Sequence, residues 1–354
     1  MRIAALVSGG VDSSVALRLA QQAGHDITAF YLKIWLEDEL SFLGECPWED
    51  DLRYVREVCK QANVPLKVIS FQKEYWDRVV SYVIDEVKQG RTPNPDIFCN
   101  SRVKFGAFYD RYGKDFDAVM TGHYAQTEIR QGKTLLKCSP DPIKDQTYFL
   151  SQLSQKQVAK AMFPIGGLHK FQVRQLAREF NLPNAARKDS QGICFLGKIP
   201  FDEFLKAHLG AKAGDIIEYE TGKKLGKHEG FWFYTIGQRR GIGLSGGPWY
   251  VVAKNPNHNT IYVSKAWQTA DVVRTRFVIG GLNWIAGVTP RTRVLKVKLR
   301  HGERFWNCRL RFADHGIRAY VTLDEGDTGI APGQFAVFYS GDVCLGGGVI
   351  IATE

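Results

Sequence analysis

The chain has no pair of cysteines separated by two residues. Its seven cysteines (46, 59, 99, 138, 194, 308 and 344) are an odd number scattered over 354 residues. That pattern excludes a disulfide scaffold, a zinc ribbon and a cysteine-ligated iron–sulfur cluster, and leaves a working cysteine the roles of nucleophile or sulfur carrier. No apolar run approaches the roughly 20 residues of a membrane span. Met1-Arg2 enters the first strand with no signal or transit segment before it, so a soluble, cytoplasmic chain is expected, or an organellar one where a transit peptide has been removed. No internal period marks a repeat protein. Acids are in deficit: 37 Asp and Glu face 47 Lys and Arg, a net charge of +10 that suggests a polyanionic partner.

The most informative stretch is Leu6-Val7-Ser8-Gly9-Gly10-Val11-Asp12-Ser13-Ser14, which follows an apolar run and precedes Val15-Ala16-Leu17-Arg18-Leu19-Ala20. It reads as strand, glycine turn and helix, a local structure whose unpaired amides and serine hydroxyls favour an anion. The lysine of a Walker A loop is absent and Asp12 stands in its place, which argues against a kinase or GTPase. The stretch resembles the loop of the ATP pyrophosphatases, which holds the pyrophosphate end of ATP during attack on the α-phosphate. A carboxylate so near phosphate makes chemical sense as a Mg²⁺ ligand; the alternative is an ordinary strand-turn-helix with serines as caps.

Strand and helix patterns alternate through the first two hundred residues, as in a parallel sheet. Between a helix ending at Gly90 and a helical pattern carrying Phe105 and Phe108 lies Arg91-Thr92-Pro93-Asn94-Pro95-Asp96-Ile97-Phe98-Cys99-Asn100. Its two prolines predict a stiff loop, with Cys99 at or just before a helix start where a thiol pKa falls. Asp117 to Tyr124 is a strand running into a glycine turn, placing Gly122 and His123 at the carboxyl edge of the sheet. Thr127 to Lys137 reads as a hairpin, and Lys144-Asp145-Gln146 as an exposed loop. Arg187 to Leu196 places Cys194 after a basic, glycine-containing turn that reads as mobile, although Ile193 and Phe195 fit a core position equally well.

From about 212 the texture turns to short alternating runs such as Phe231 to Ile236, and from about 270 to strands that suggest a small closed barrel. Between Arg291 and Arg311 eight Lys and Arg face one acid, and Lys296, Lys298 and Arg300 share one strand face by the period of two. This stripe reads as a nucleic-acid footprint or as a solvated sheet face. The expected architecture is an α/β, doubly wound parallel-sheet nucleotide-binding domain (1–205), a central β-rich domain (206–270) and a C-terminal β-barrel (271–354).

The opening loop, Asn94-Pro95-Asp96-Ile97-Phe98-Cys99-Asn100, Thr121-Gly122-His123-Tyr124, Lys144-Asp145-Gln146 and Gly192-Ile193-Cys194-Phe195 together resemble the tRNA-specific 2-thiouridylases, in the family's order over most of the chain. The resemblance implies that ATP and Mg²⁺ adenylate the C2 oxygen of the wobble uridine and that a cysteine persulfide then supplies sulfur. ATP would be held by Leu6, Val7, Ser8, Gly9, Gly10, Val11, Asp12, Ser13, Leu32 and Gly122, with Asp12 also on the metal. Cys194 would bear the persulfide and Cys99 act as partner nucleophile, with a disulfide between them as a working state. Asn94, Pro95 and Asp96 would meet the target base, while His123, Lys144, Asp145, Gln146, Arg300, His301 and Gln334 would contact tRNA. The other partner implied is a cysteine desulfurase or sulfur-relay protein, and a monomer is expected. Two rival readings share part of the pattern: a small-molecule adenylating ligase, and a noncatalytic RNA-binding protein on a dead nucleotide fold. The two loop cysteines and the basic barrel speak against the first.

Overall fold

The structure, a computed structural model, describes residues 1–34, 48–189, 200–265 and 273–353, so Cys46 and Cys194 lie outside the described residues. Strands β1 (Arg2–Leu6), β2 (Asp26–Lys33), β3 (Leu66–Ser70) and β4 (Ala118–Met120) are parallel neighbours. The chain then leaves for a hairpin, β5 (Ala125–Arg130) and β6 (Lys133–Cys138), and returns as β7 (Ala161–Met162) to complete the order β3-β2-β1-β4-β7. Ile3 and Ala5 face one apolar cluster and Ala4 and Leu6 the other, which is why β1 reads as a continuous apolar run. Strand order reverses between β1 and β4, so the carboxyl ends of these two strands flank the natural binding crevice of a doubly wound sheet.

Helices cover both faces. On one lie Val11–Gln22, Trp48–Gln61 and Lys170–Glu179. On the other are two longer runs: 72–88, made of Gln72–Tyr75, Trp76–Val80 and Ser81–Lys88, and 95–111, made of Pro95–Phe98, Cys99–Ala107 and Phe108–Arg111. Trp76–Val80 and Cys99–Ala107 are wound as π-helix, a winding that recurs at functional sites. Pro95 opens its helix instead of forbidding one, because its fixed φ and missing N–H suit the first helical position.

The central unit is a four-stranded sheet of β8 (Gly214–Glu218), β9 (Lys224–His228), β10 (Tyr250–Asn255) and β11 (Thr260–Ser264). Phe231 to Ile236, which reads as a strand, is a 3₁₀ turn (Phe231–Phe233) followed by irregular chain: Phe231 and Trp232 fill the core from a turn. The helix Phe201–Leu209 crosses position 205 and packs Phe204 and Leu205 into the core of the nucleotide-type domain.

Strands β12 (Arg274–Trp284), β13 (Val294–Lys298), β14 (Trp306–Ala313), β15 (Arg318–Asp327), β16 (Phe335–Ser340) and β17 (Val343–Thr353) form a barrel in the order β12-β15-β14-β13-β16-β17, closed by β17 on β12. Closure depends on bare backbone in β17. A Cβ on Gly346 would lie 2.1 Å from the Asn283 carbonyl oxygen, and one on Gly347 would lie 2.3 Å from that of Ala336.

The barrel is built onto the first domain. β6 pairs with β17 (Leu136 opposite Cys344), and Tyr148, from the turn Thr147–Leu150, donates its hydroxyl to the Phe335 carbonyl at 3.2 Å. At the centre of this junction Lys298 donates to Asp145 at 2.8 Å, with only 1% and 2% of the two side chains exposed. Thr147 donates its hydroxyl to the same carboxylate at 2.9 Å and lies 3.2 Å from the Tyr339 hydroxyl. Removing one partner of such a pair strands a buried charge, at a cost of roughly 3–5 kcal/mol. Lys298→Met should therefore lower the denaturation midpoint sharply, and adding Asp145→Asn should recover much of the loss; chemical denaturation followed by tryptophan fluorescence checks both.

Candidate active site

The turn after β1 is built from glycine because space and conformation demand it. Gly9 has φ +76°, and a Cβ there would sit 2.6 Å from the Asp51 carbonyl oxygen. Ser13 Oγ donates to the Gly10 carbonyl at 3.0 Å and accepts the Ser8 amide at 3.2 Å, which folds the turn over the helix start. The first intrahelical bond is Ser14 N to Gly10 O, and no side chain caps this end of Val11–Gln22. The amides of Val11, Asp12 and Ser13 thus precede the ladder at the positive end of a twelve-residue helix. Across the crevice Gly122 closes on the same helix start: a Cβ there would lie 2.6 Å from Ser13 N. Leu32 lies near the end of β2 on the same edge of the sheet. These features fit a polyphosphate.

Asp12 is held from two sides. Tyr124 donates its hydroxyl to Oδ1 at 2.9 Å, and Lys170 Nζ lies 2.7 and 2.9 Å from the two carboxylate oxygens. Lys170 also pairs with Asp189 at 2.8 Å, and Asp189 in turn receives Lys144 at 2.7 Å and Arg174. Burial works to raise the Asp189 carboxyl, but the hydrogen bonds and charges of Lys144 and Lys170 outweigh it and hold the group well below the usual carboxylate range. Burial, reinforced by Asp12, pushes the Tyr124 phenol well up, so it remains a donor. Asp189 is the last described residue before the segment bearing Cys194, so this network joins the nucleotide turn to the stem of that segment. Among the described residues no three His, Cys, Asp or Glu side chains gather around a common point. A Mg²⁺ ion at Asp12 would thus take most of its oxygens from phosphate and water.

Several of the sequence-predicted RNA positions and the helix that carries Cys99 come together around the turn 144–149. Gln146 accepts the Tyr124 amide at 2.9 Å, and His123 Nδ1 lies 2.7 Å from the Thr121 hydroxyl. Burial and the charge of Lys104 hold His123 well below the usual histidine pKa, hence neutral. The ring of Phe149 is stacked by His301 at 4.9 Å, and its carbonyl accepts Asn100 Nδ2 at 3.1 Å, so barrel and cysteine helix converge on one residue. Gln334 donates to the Thr92 carbonyl at 3.1 Å, pinning the chain ahead of Asn94, Pro95 and Asp96 to the barrel. Arg300 forks onto Asp327 at 2.7 and 3.3 Å and stays half exposed.

Three expectations change. Asp145 is not on an exposed loop: it is the buried partner of Lys298, so its side chain organises the junction and does not face solvent. The basic stripe is interrupted for the same reason, since Lys296 and Arg300 are exposed while Lys298 lies under Asp145 and Tyr339. Cys99 sits one turn inside its helix and is 2% exposed; burial pushes its thiol up, opposed in part by Lys104, and the helix end does not lower it. Sequence reasoning also missed Lys170, Asn184 and Arg187. Asn184 Nδ2 and Arg187 Nη1 donate to the Gly9 carbonyl at 2.8 and 3.1 Å. The last two stand in Asn181-Leu182-Pro183-Asn184-Ala185-Ala186-Arg187, a largely apolar stretch in which nothing marks them as partners of the glycine turn.

A doubly wound domain with an anion-binding turn at its switch point, joined to a small β module and a closed barrel, defines a nucleotide-dependent enzyme of modular build. The chain matches the family described as tRNA methyl transferase HUP domain over residues 1–198, its PRC-barrel domain over 202–265, and the aminomethyltransferase beta-barrel domain over 274–350. It is 47% identical to the tRNA-specific 2-thiouridylase MnmA of Parabacteroides distasonis over 357 residues, 99% of each chain. It is 45% identical to that of Porphyromonas gingivalis over 361 residues, 99% of each, and 46% identical to MnmA 2 of Bacteroides fragilis over 357 residues, 99% and 100%. The chain belongs to the tRNA-specific 2-thiouridylase family.

The buried thiol gives a direct pH test. A raised pKa leaves less thiolate than an ordinary cysteine has at a given pH, and that fraction grows only as pH climbs toward the raised value. Peptide-resolved alkylation of the free protein should find Cys99 slow near pH 8, with a rate still climbing above pH 9.

Proposed function

We propose that the chain is a tRNA-uridine 2-sulfurtransferase acting on the wobble uridine, with ATP bound across the Ser8–Ser13 turn, Leu32 and Gly122. The observation that supports this best is the convergence on Phe149 and Gln146 of the Cys99 helix, the barrel and Tyr124, whose hydroxyl holds Asp12 at the nucleotide turn. In this reading the C2 oxygen of uridine attacks the α-phosphate, pyrophosphate leaves, and the oxygen becomes part of an AMP leaving group. The outer sulfur of a Cys194 persulfide attacks C2 and expels AMP. The Cys99 thiolate then attacks the inner sulfur, so that the S–S bond breaks, the Cys99–Cys194 disulfide forms, and sulfur stays on C2. A thiol reductant reopens the disulfide. Mg²⁺, with Asp12 as its protein ligand, would supply charge neutralisation on the phosphates.

Lys170 has a defined part in this sequence: it keeps Asp12 and Asp189 neutralised until phosphate arrives, and its ammonium is then placed to meet the incoming charge. Asn94, Pro95 and Asp96 face the target base, while His123, Lys144, Gln146, Arg300, His301 and Gln334 line the RNA path. A cysteine desulfurase or relay protein charges Cys194. No described helix is long and apolar enough to cross a membrane; a cytoplasmic monomer is the working picture.

Single substitutions separate the steps. Asp12→Asn should abolish tRNA-dependent AMP formation and leave tRNA affinity within about twofold, since the carboxylate faces the phosphate turn; retained AMP formation removes the metal role. Cys194→Ser should still release pyrophosphate yet accept no persulfide, whereas Cys99→Ser should accept it and fail to turn over. Mass spectrometry that finds the extra sulfur on Cys99 alone would reverse these assignments.

A further inference from the structure

Arg78, in Trp76–Val80, and Arg102, in Cys99–Ala107, are crossed on the surface beside the cysteine helix. Arg78 Nη1 donates to the Arg102 carbonyl at 3.1 Å, and Arg102 Nη1 donates to the Arg78 carbonyl at 3.0 Å. The crossed bonds hold each guanidinium against the other residue's backbone, each with further N–H donors. Neither forms an ion pair among the described residues, whereas Arg91, Arg111 and Arg300 each have a carboxylate partner. Like charges at close range repel, and burial together with Arg78 lowers the pKa of Arg102. The Arg102 plane is also fixed, 3.6 Å above the Phe98 ring, with Tyr82 edge-on to Phe98 at 4.6 Å. Phe98 directly precedes Cys99 and lies one helical turn after Asn94.

We propose that Arg78 and Arg102 clamp one backbone phosphodiester of the RNA strand that carries the target uridine, a proposal that rests on the tRNA reading above. A phosphodiester has the charge that relieves the repulsion and two free oxygens to receive N–H groups from both arginines. The reciprocal carbonyl bonds hold the donors in position before RNA arrives, which limits the ordering cost on binding. The clamp recognises no base; it sets how far along the strand the target nucleotide lies relative to Asn94 and Cys99.

The test uses the full chain and an unmodified anticodon stem-loop RNA, with affinity measured by fluorescence anisotropy over a range of salt. Arg78→Met is the primary variant because Arg78 is exposed and its loss leaves the Phe98 packing intact; an unchanged melting curve verifies the fold. Affinity should fall about tenfold and the slope of log affinity on log salt by roughly one, with Arg78→Met/Arg102→Met no steeper in its loss, because both arginines serve one phosphate. Scanning the RNA with neutral methylphosphonate linkages should reveal one linkage next to the target uridine whose neutralisation weakens the wild type and not the double variant. An unchanged affinity and slope in Arg78→Met, or the same methylphosphonate penalty in wild type and double variant, overturns the clamp while leaving the tRNA reading standing. A wild-type chain that does not bind the stem-loop at all overturns both.

Discussion

A single buried ion pair sets the geometry on which the rest of the molecule depends. Lys298 comes from the barrel and Asp145 from the loop that follows the first domain's hairpin, and neither has access to water. A buried pair of this kind adds little stability over an apolar filling, but it penalises every arrangement in which the two halves meet out of register. Its neighbours sharpen that register: Thr147 and Tyr339 extend the polar contact, Tyr148 reaches the barrel backbone, and Leu136 pairs with Cys344 across the strand junction. The barrel is thereby a fixed wall of the site, with His301 on Phe149 and Gln334 on the chain before Asn94.

At the other end of the site the constraint is electrostatic. The helix start favours negative charge, and Asp12 sits at its mouth, kept there by Tyr124 and by Lys170, which it shares with Asp189. In the proposed function, a polyphosphate entering this place competes for Lys170, the ammonium that Asp12 and Asp189 share.

Much of this was legible in the residues. The glycine turn, the parallel order, the hairpin at 131–132 and the barrel all follow from periodicity and turn chemistry, and the pairing at Gln131 and Gly132, both with positive φ, is what an Xaa-Gly hairpin turn requires. Three kinds of feature were not legible. Asp145 and Lys298 read as surface charges because each is polar alone; only the fold brings them together across more than 150 positions. Phe231 to Ile236 has a strand's composition but packs its rings from a turn. β17 hides its strand character behind Gly346, Gly347 and Gly348, whose bareness is needed for barrel closure and is invisible to strand propensity. In the site, Lys170 sits at the start of an unremarkable amphipathic helix, and nothing in its local sequence marks it as the partner of Asp12.

The central claim is that one nucleotide turn and one pair of cysteines act on the same carbonyl carbon of a tRNA uridine. The most direct measurement is nucleoside mass spectrometry of an unmodified tRNA incubated with the purified chain, ATP and a persulfide donor, read alongside AMP release. The account predicts 2-thiouridine at the wobble position only when ATP is present, with one AMP formed for each sulfur inserted. Thiolation without ATP, or ATP-dependent AMP release with the wobble uridine left as an oxygen base in the presence of the donor, would contradict it.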